Sequence, residues 1–555
     1  MTTKSPGIPP ARYRVGRRGF LGLMGLGAAA IGAPTLLAAC GNGGGAVGSA
    51  GGGGSVSAGV LPNYLPIEYI APDFPSVNGS TAGYSSIPGD LVKAFSAPPG
   101  SGGTFTAMTP LWGTIPPTEG NQYYDAVNGA LGSTLRFQIS DGNTYGDKLA
   151  AVLASADDVP DWVSIPTWNV PPRFTEAVEG LFEDLTPYLS GANVEKYKNL
   201  ANIPTDVWKF CVFNDKLYAL PFPGEVINNA IFYRRDVLEG LGITEQPTDA
   251  RGLADLAKEL TSPGDQRWGC EDLWTAATMM FAVPEKWTQD DAGNLVHRIE
   301  TEQYRAALEW QVELYASGAV HPDAVADKTE ESKQRFESGE SLIATDGVGG
   351  WHEALSRQLQ SNPGYDQQAF APIAADGGTP VLYKGSPANI FSFLKKNEDP
   401  ARIEELLAVA DFLAAPFGTE EYHLVNFGVE GVHYETDGDG LPVATDLAAT
   451  ELQPTYTFLV DPPVVNTKVQ YPGFVEDYCT WMADAAQYLA DPLFYGMQIS
   501  EPSRFAALDA PFPDLEKDIA RGRKSMADMD EAVETWRTSG GDELRQFYQD
   551  ILDAQ

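Results

Sequence analysis

Two hydrophobic periodicities alternate along residues 103–166, and that alternation restricts the fold more than any other feature of the chain. "GTFTAMTPLW" (103–112) is β-rich, and "NQYYDAVNGALG" then sets Tyr124, Val127 and Leu131 at helical spacing. "STLRFQIS" alternates Leu135, Phe137 and Ile139. "YGDKLAAVLAS" puts Leu149, Val152 and Leu153 on one helix face, and "PDWVSIP" returns to a short strand. Strands that alternate with helices form a parallel sheet covered on both faces, so an α/β class is expected. Ligands of such sheets bind beyond the carboxyl ends of strands. Trp112 and Trp168 each stand just past a predicted strand end.

The pattern resumes after residue 218. Ala230 to Tyr233 reads as a strand and Asp236 to Leu241 as a short helix closed by Gly242. "TEQYRAALEWQVELYASG" is a helix ended by Gly318, and Leu342 to Thr345 is a strand followed by the glycine-rich "DGVGG". Asp399 and Pro400 mark a helix start, as N-cap and first residue. At 555 residues, the chain is too long for one core and is expected to form two lobes or domains, or three.

The N-terminus is of a different kind. Residues 1–39 carry five basic residues and no acidic one, and "LAAC" ends the stretch at Cys40. This resembles a lipoprotein signal in which Cys40 is acylated, and "RRGFLG" resembles a twin-arginine export signal, with the general secretory route as the alternative. The run "GNGGGAVGSAGGGG" that follows is a flexible tether, with a reach of about 25 Å. An irregular arm is expected over residues 61–103. From residue 40 onward, 32 basic residues face 75 acidic ones, a net of −43. That field repels DNA and RNA, so no nucleic-acid partner is expected. Cys211, Cys270 and Cys479 allow at most one disulfide.

Enzyme signatures fail in detail. GxSxG, the P-loop and a strand-following GxGxxG are absent, and the HExxH pattern breaks at Ser356. "ETDGDG" loses the ligand alternation of an EF-hand at Leu441. No metal or other cofactor is expected.

Several segments together resemble the extracellular solute-binding lipoproteins of bacterial ABC importers, carbohydrate-binding family 1, in its oligosaccharide-type branch. They are "PDWVSIP", "LYALPF", "IFYRRDVLEGLGI", "GAVHPD", "FESGESLIATDGVGGW", "NFGVEGVHYETDGDGLP" and the tail from "GRKSMADMDEAVETW" onward. The resemblance spans roughly residues 104–555. It implies a two-lobed, type II-like periplasmic-binding-protein fold with the ligand in a cleft between lobes that close on it. One lobe would be 104–222 plus 373–415, and the other 223–372 plus 416–555. It also implies a monomeric, non-enzymatic protein, lipid-anchored on the outer face of the membrane, that delivers a neutral saccharide to permease subunits. "NFGVEGVHYE" would lead the chain back across the hinge, bent at Gly428 and Gly431, with His423 and His433 structural. The candidate ligand residues are Trp112, Trp168, Trp274, Asp346, Trp351 and Glu430, with Trp351 foremost because in this family an aromatic after "FESGESLIATDG" often faces the cleft. A glycan-active hydrolase, which needs two carboxylates at set separations, and a peptide-binding lipoprotein remain as alternatives.

Overall fold

The structure is a computed structural model that describes residues 59–554 apart from 172, 173, 330, 439 and 500. The leader, Cys40 and most of the tether lie outside the described residues. The unit spanning Gly51–Gln555 carries the fold.

Nine strands form the two main sheets: β1 (Thr104–Leu111), β2 (Thr134–Asp141), β3 (Trp162–Pro166), β4 (Ala219–Pro223), β5 (Asn229–Arg234), β6 (Trp268–Cys270), β7 (Ser341–Gly347), β8 (Gln367–Ala369) and β9 (Ala388–Leu394). The first sheet has the order β2-β1-β3-β9-β4 and the second β8-β5-β7-β6. The segments read from alternation, β1, β2 and β3, pair in parallel. β9 enters antiparallel between β3 and β4, so the sheet is mixed rather than wholly parallel.

Local chemistry sets these elements. Helix α1 (Gln122–Leu131) starts at Asn121, whose side chain accepts from the Tyr124 N–H, and stops at Gly132 in the left-handed region. In β5 the period of two splits the side chains. Ile231 and Tyr233 enter one core, while Ala230 and Phe232 enter the core on the other face. That second sheet is therefore covered on both sides, by α2 (Trp274–Met280) on one and by α3 (Gly350–Gln358) and α5 (Phe474–Ala485) on the other. Helix α4 (Pro400–Leu413) packs on the first core, with Asp399 as its N-cap. The three described cysteines are buried and free, so none is bridged.

Three chain segments join the lobes. The first (224–228) and second (384–387) are tied to each other, Gly224 N–H to Pro387 O at 2.8 Å and Gly385 N–H to Val226 O at 2.9 Å. The third leaves the first core after Val460, and its Val465–Asn466 pairs with Ala82–Gly83 of the N-terminal arm. The third crossing was expected earlier, at "NFGVEGVHYE". That segment instead stays on the first lobe, because Val425 enters the first core and Tyr123 donates to its carbonyl at 2.7 Å. Tyr456, Leu459 and Val460 follow into the same core, so residues 416–460 pack with the first lobe and not the second. Gly428 has φ +78°, and a Cβ there would lie 2.8 Å from the His433 ring. His433 is fully buried, its Nδ1 accepting from Val429 N–H at 3.0 Å and its Nε2 standing 3.3 Å from Glu451.

Candidate functional site

The first lobe presents an exposed aromatic surface where its parallel strands end. Trp112 follows β1 directly, and Trp168 lies in the turn after β3. Their ring centroids are 5.9 Å apart at 51°. Phe458 meets Trp112 edge-on at 5.9 Å, and Phe222, next to the end of β4, meets Phe458 at the same separation. Trp112 is 43% exposed and Trp168 62%. Large aromatics are usually mostly buried, and two indoles left open side by side form an apolar patch of the kind that marks a binding surface. Gly142, just beyond β2, is part of the construction. A Cβ there would overlap three ring atoms of Trp112, so the indole lies directly on the Gly142 backbone.

The other candidates are placed elsewhere. Trp351 was expected at the cleft edge because "DGVGG" reads as an open loop. It is 1% exposed, packed against Phe232, Phe474 and Tyr478 at 5.5–6.0 Å. Helix α3 begins at Gly350, so Trp351 already lies in the first turn and rotates onto the sheet. Trp274, the first residue of α2, is half-buried against Tyr304. Asp346, near the end of β7, is held by Lys333 at 2.9 Å and accepts from the Gly347 N–H. Glu430 is exposed and accepts from the Thr436 hydroxyl at 2.9 Å within its own turn. Of the six, only Trp112 and Trp168 are brought together. Phe222 and Phe458 were missed. Phe222 had a local signal, the last apolar residue before a Pro-Gly break. Phe458 comes from the return of a segment more than 340 residues downstream of Trp112 and had none.

The crossovers hold ionisable side chains. Asp461, on the third, has its carboxyl pushed well above the usual range by burial, and its Oδ1 is enclosed without a hydrogen-bond partner. Lys468 keeps solvent access, yet surrounding protein lowers its pKa, against the pull of Asp461 and Glu225. Glu225, on the first crossover, accepts from the Tyr478 hydroxyl at 3.2 Å. Across the cleft rim, Gln498 donates to the Phe210 carbonyl at 2.8 Å and Tyr495 packs on the Phe210 ring. These are weak, separable contacts of the kind that a hinge motion can make and break.

Comparison with known proteins agrees with this architecture. Residues 118–418 match the family described as bacterial extracellular solute-binding protein. A Bacillus subtilis protein, the polygalacturonan/rhamnogalacturonan-binding protein YtcQ, is 22% identical over 432 residues, 73% of this chain and 83% of its own length. Among solved structures, a solute-binding protein from Bifidobacterium longum infantis, described as HMO-binding and ABC-transporter-associated, superposes with TM-score 0.58 at 14% identity, over 83% of this chain and 99% of that one. The alginate-binding protein AlgQ2, solved without calcium ion, gives 0.56 at 16% identity, over 84% and 100%. The fold is thus the two-lobed α/β fold of periplasmic binding proteins. The chain belongs to the bacterial extracellular solute-binding protein family, whose members bind substrates rather than transform them.

Proposed function

We propose that this protein captures an oligosaccharide in the cleft between its lobes and presents it, lobes closed, to the permease of an ABC importer. The observation that carries the reading is the exposed Trp112–Trp168 pair at the carboxyl ends of β1 and β3, where an α/β sheet receives its ligand. Sugar rings have apolar C–H faces that stack on indoles, and a rim of hydroxyls that needs polar partners. A desolvated polar group left unpaired by the wrong sugar costs about 1–3 kcal/mol, which is the source of selectivity. The saccharides for which YtcQ, AlgQ2 and the Bifidobacterium protein are named support the ligand class.

The chain works as a monomer, binds without turnover, and is held to the outer face of the membrane by a lipid on Cys40. A thermal-shift screen over oligosaccharides tests the binding reading, with chromatography of the recovered sugar to check that it is intact. A raised melting temperature with unchanged sugar supports capture. Release of shorter products would assign a hydrolase instead. Intact-mass analysis of membrane-extracted protein tests the anchor, and residues 1–39 still attached would refute it.

A further inference from the structure

A polar pocket lies on the second lobe, where the first two crossovers meet α2. Its volume is about 170 Å³, and it is lined by Asn228, Thr275, Glu285, Arg298 and Tyr383 over an apolar floor that includes Ile227 and Met279. Arg298 carries unused donors. Its Nε is enclosed without a partner, and among the described residues its guanidinium donates one hydrogen bond, a long one from Nη1 to the Glu285 carbonyl at 3.3 Å. Its guanidinium lies 5.7 Å from the Tyr304 ring centroid. No carboxylate among the described residues pairs with it, although Glu285 lines the same pocket. Glu285 is exposed, yet the surrounding protein raises its carboxyl pKa, and Arg298 opposes the shift. Asn228 is folded over the second crossover so closely that a Cβ at Gly385 would overlap its amide. The Arg298 guanidinium thus meets the exposed Glu285 and Asn228 side chains around one small volume.

We infer that this pocket is a subsite for one uncharged sugar ring of the bound oligosaccharide. The inference rests on the proposed saccharide reading and narrows it. A neutral ring supplies hydroxyls that accept from Arg298 and donate to Glu285 together, which satisfies both groups. A uronate would bring a second carboxylate beside that of Glu285, on a body of net charge −43. The pocket is within reach of the aromatic surface. Phe222 and Asn228 are only six positions apart in the chain, at most about 20 Å when extended. An oligosaccharide lying across both would touch the aromatic rings of one lobe, the crossovers, and α2 of the other lobe. Such a ligand binds the closed arrangement better than the open one, and only differential binding of that kind can drive closure.

The test uses the full mature chain with maltotriose, xylotriose, β-1,4-galactotriose and trigalacturonate, by isothermal titration calorimetry with a melting temperature for every variant. Thr275→Trp fills the pocket from an exposed position, Arg298→Gln removes the guanidinium, and Trp112→Ala reports on the aromatic surface. The expected result is a neutral trisaccharide bound by the natural protein, at least tenfold weaker affinity in Thr275→Trp with the melting temperature held, and a similar loss in Arg298→Gln. If Trp112→Ala weakens binding while Thr275→Trp and Arg298→Gln bind as the natural protein does, the subsite is refuted and the saccharide reading stands. Preferential binding of trigalacturonate, lost in Arg298→Gln, refutes the neutral-ring assignment. Binding of none of the four refutes the subsite for these ligands, and the wider thermal-shift screen then judges the saccharide reading separately.

Discussion

Gly142→Ala isolates the role of the Trp112 indole without touching it. Gly142 is buried beneath that ring and does not have a left-handed φ, so alanine fits its backbone without strain. The sole conflict is steric, because the new methyl group overlaps three ring atoms of Trp112. The indole, 43% exposed, has open space on its outer side and will swing off the surface. Two stability terms then oppose each other. Alanine restricts the unfolded chain and stabilises by about 0.4–1 kcal/mol. Lifting the indole returns on the order of 100 Å² of apolar area to water, which costs about 2.5 kcal/mol at most. The net loss is about 2 kcal/mol or less. Affinity should fall further in proportion. A displaced stacking ring costs on the order of 2 kcal/mol of binding, as an aromatic hot spot does, or about thirtyfold in Kd. Calorimetric titration of Gly142→Ala, Trp112→Ala and the double variant measures this, with denaturant midpoints alongside. Since Gly142 acts only through the indole, the double variant should bind no worse than Trp112→Ala alone. Unchanged affinity in Gly142→Ala, or an equal loss when the indole is already absent, would refute the reasoning.

Trp351→Ala should cost about 3–5 kcal/mol of folding stability while saccharide affinity, measured well below the melting temperature, stays within a few fold; a large affinity loss at unchanged midpoint would return Trp351 to the cleft. His297 is 2% exposed between Trp287 and Trp536, and burial, aided by Lys286, Arg298 and Arg545, lowers its pKa to about 3. Because the unfolded chain takes up a proton below about 6.5 that the folded one refuses, stability should fall by about 1.4 kcal/mol per pH unit from 6.5 toward 3 for this residue. His297→Phe should flatten the dependence of midpoint on pH in that window, and an unaltered slope would count against the assignment. Asp411 is raised to about 7, chiefly by burial, while accepting from the Asn199 and Leu200 N–H groups. A raised carboxyl loses stability as pH climbs from its ordinary range through 7, so Asp411→Asn, which keeps the acceptor, should raise the melting temperature more at pH 8 than at pH 4; an equal change at both would refute it.

The parts of this fold that were legible in the sequence are those fixed by local pattern. β1, β2, β3 and β5 show their period, and Asn121–Gly132 and Asp399–Pro400 carry boundaries that a short window can read. The placement of Trp112 and Trp168 just past strand ends was legible because a strand end is a local feature. Trp351 was misread because Gly349 and Gly350, which suggest a loop, begin a helix whose first turn is pressed onto the sheet by Phe474 and Tyr478, more than 120 residues away. The place of the third crossing was misjudged for the same reason. Val425, Tyr456 and Leu459 look like any apolar residues until the first core claims them. Phe458, Arg298 and Glu285 meet their neighbours only where distant segments come together, so no spacing rule could collect them.

Small-angle scattering with and without the saccharide that the thermal-shift screen identifies tests most directly whether this chain captures its ligand by closing two lobes. The radius of gyration should shrink on saturation, and the contraction should be lost in Trp112→Ala at a concentration that no longer saturates it. A sugar bound tightly with the radius unchanged would contradict closure and leave the two lobes as a rigid platform.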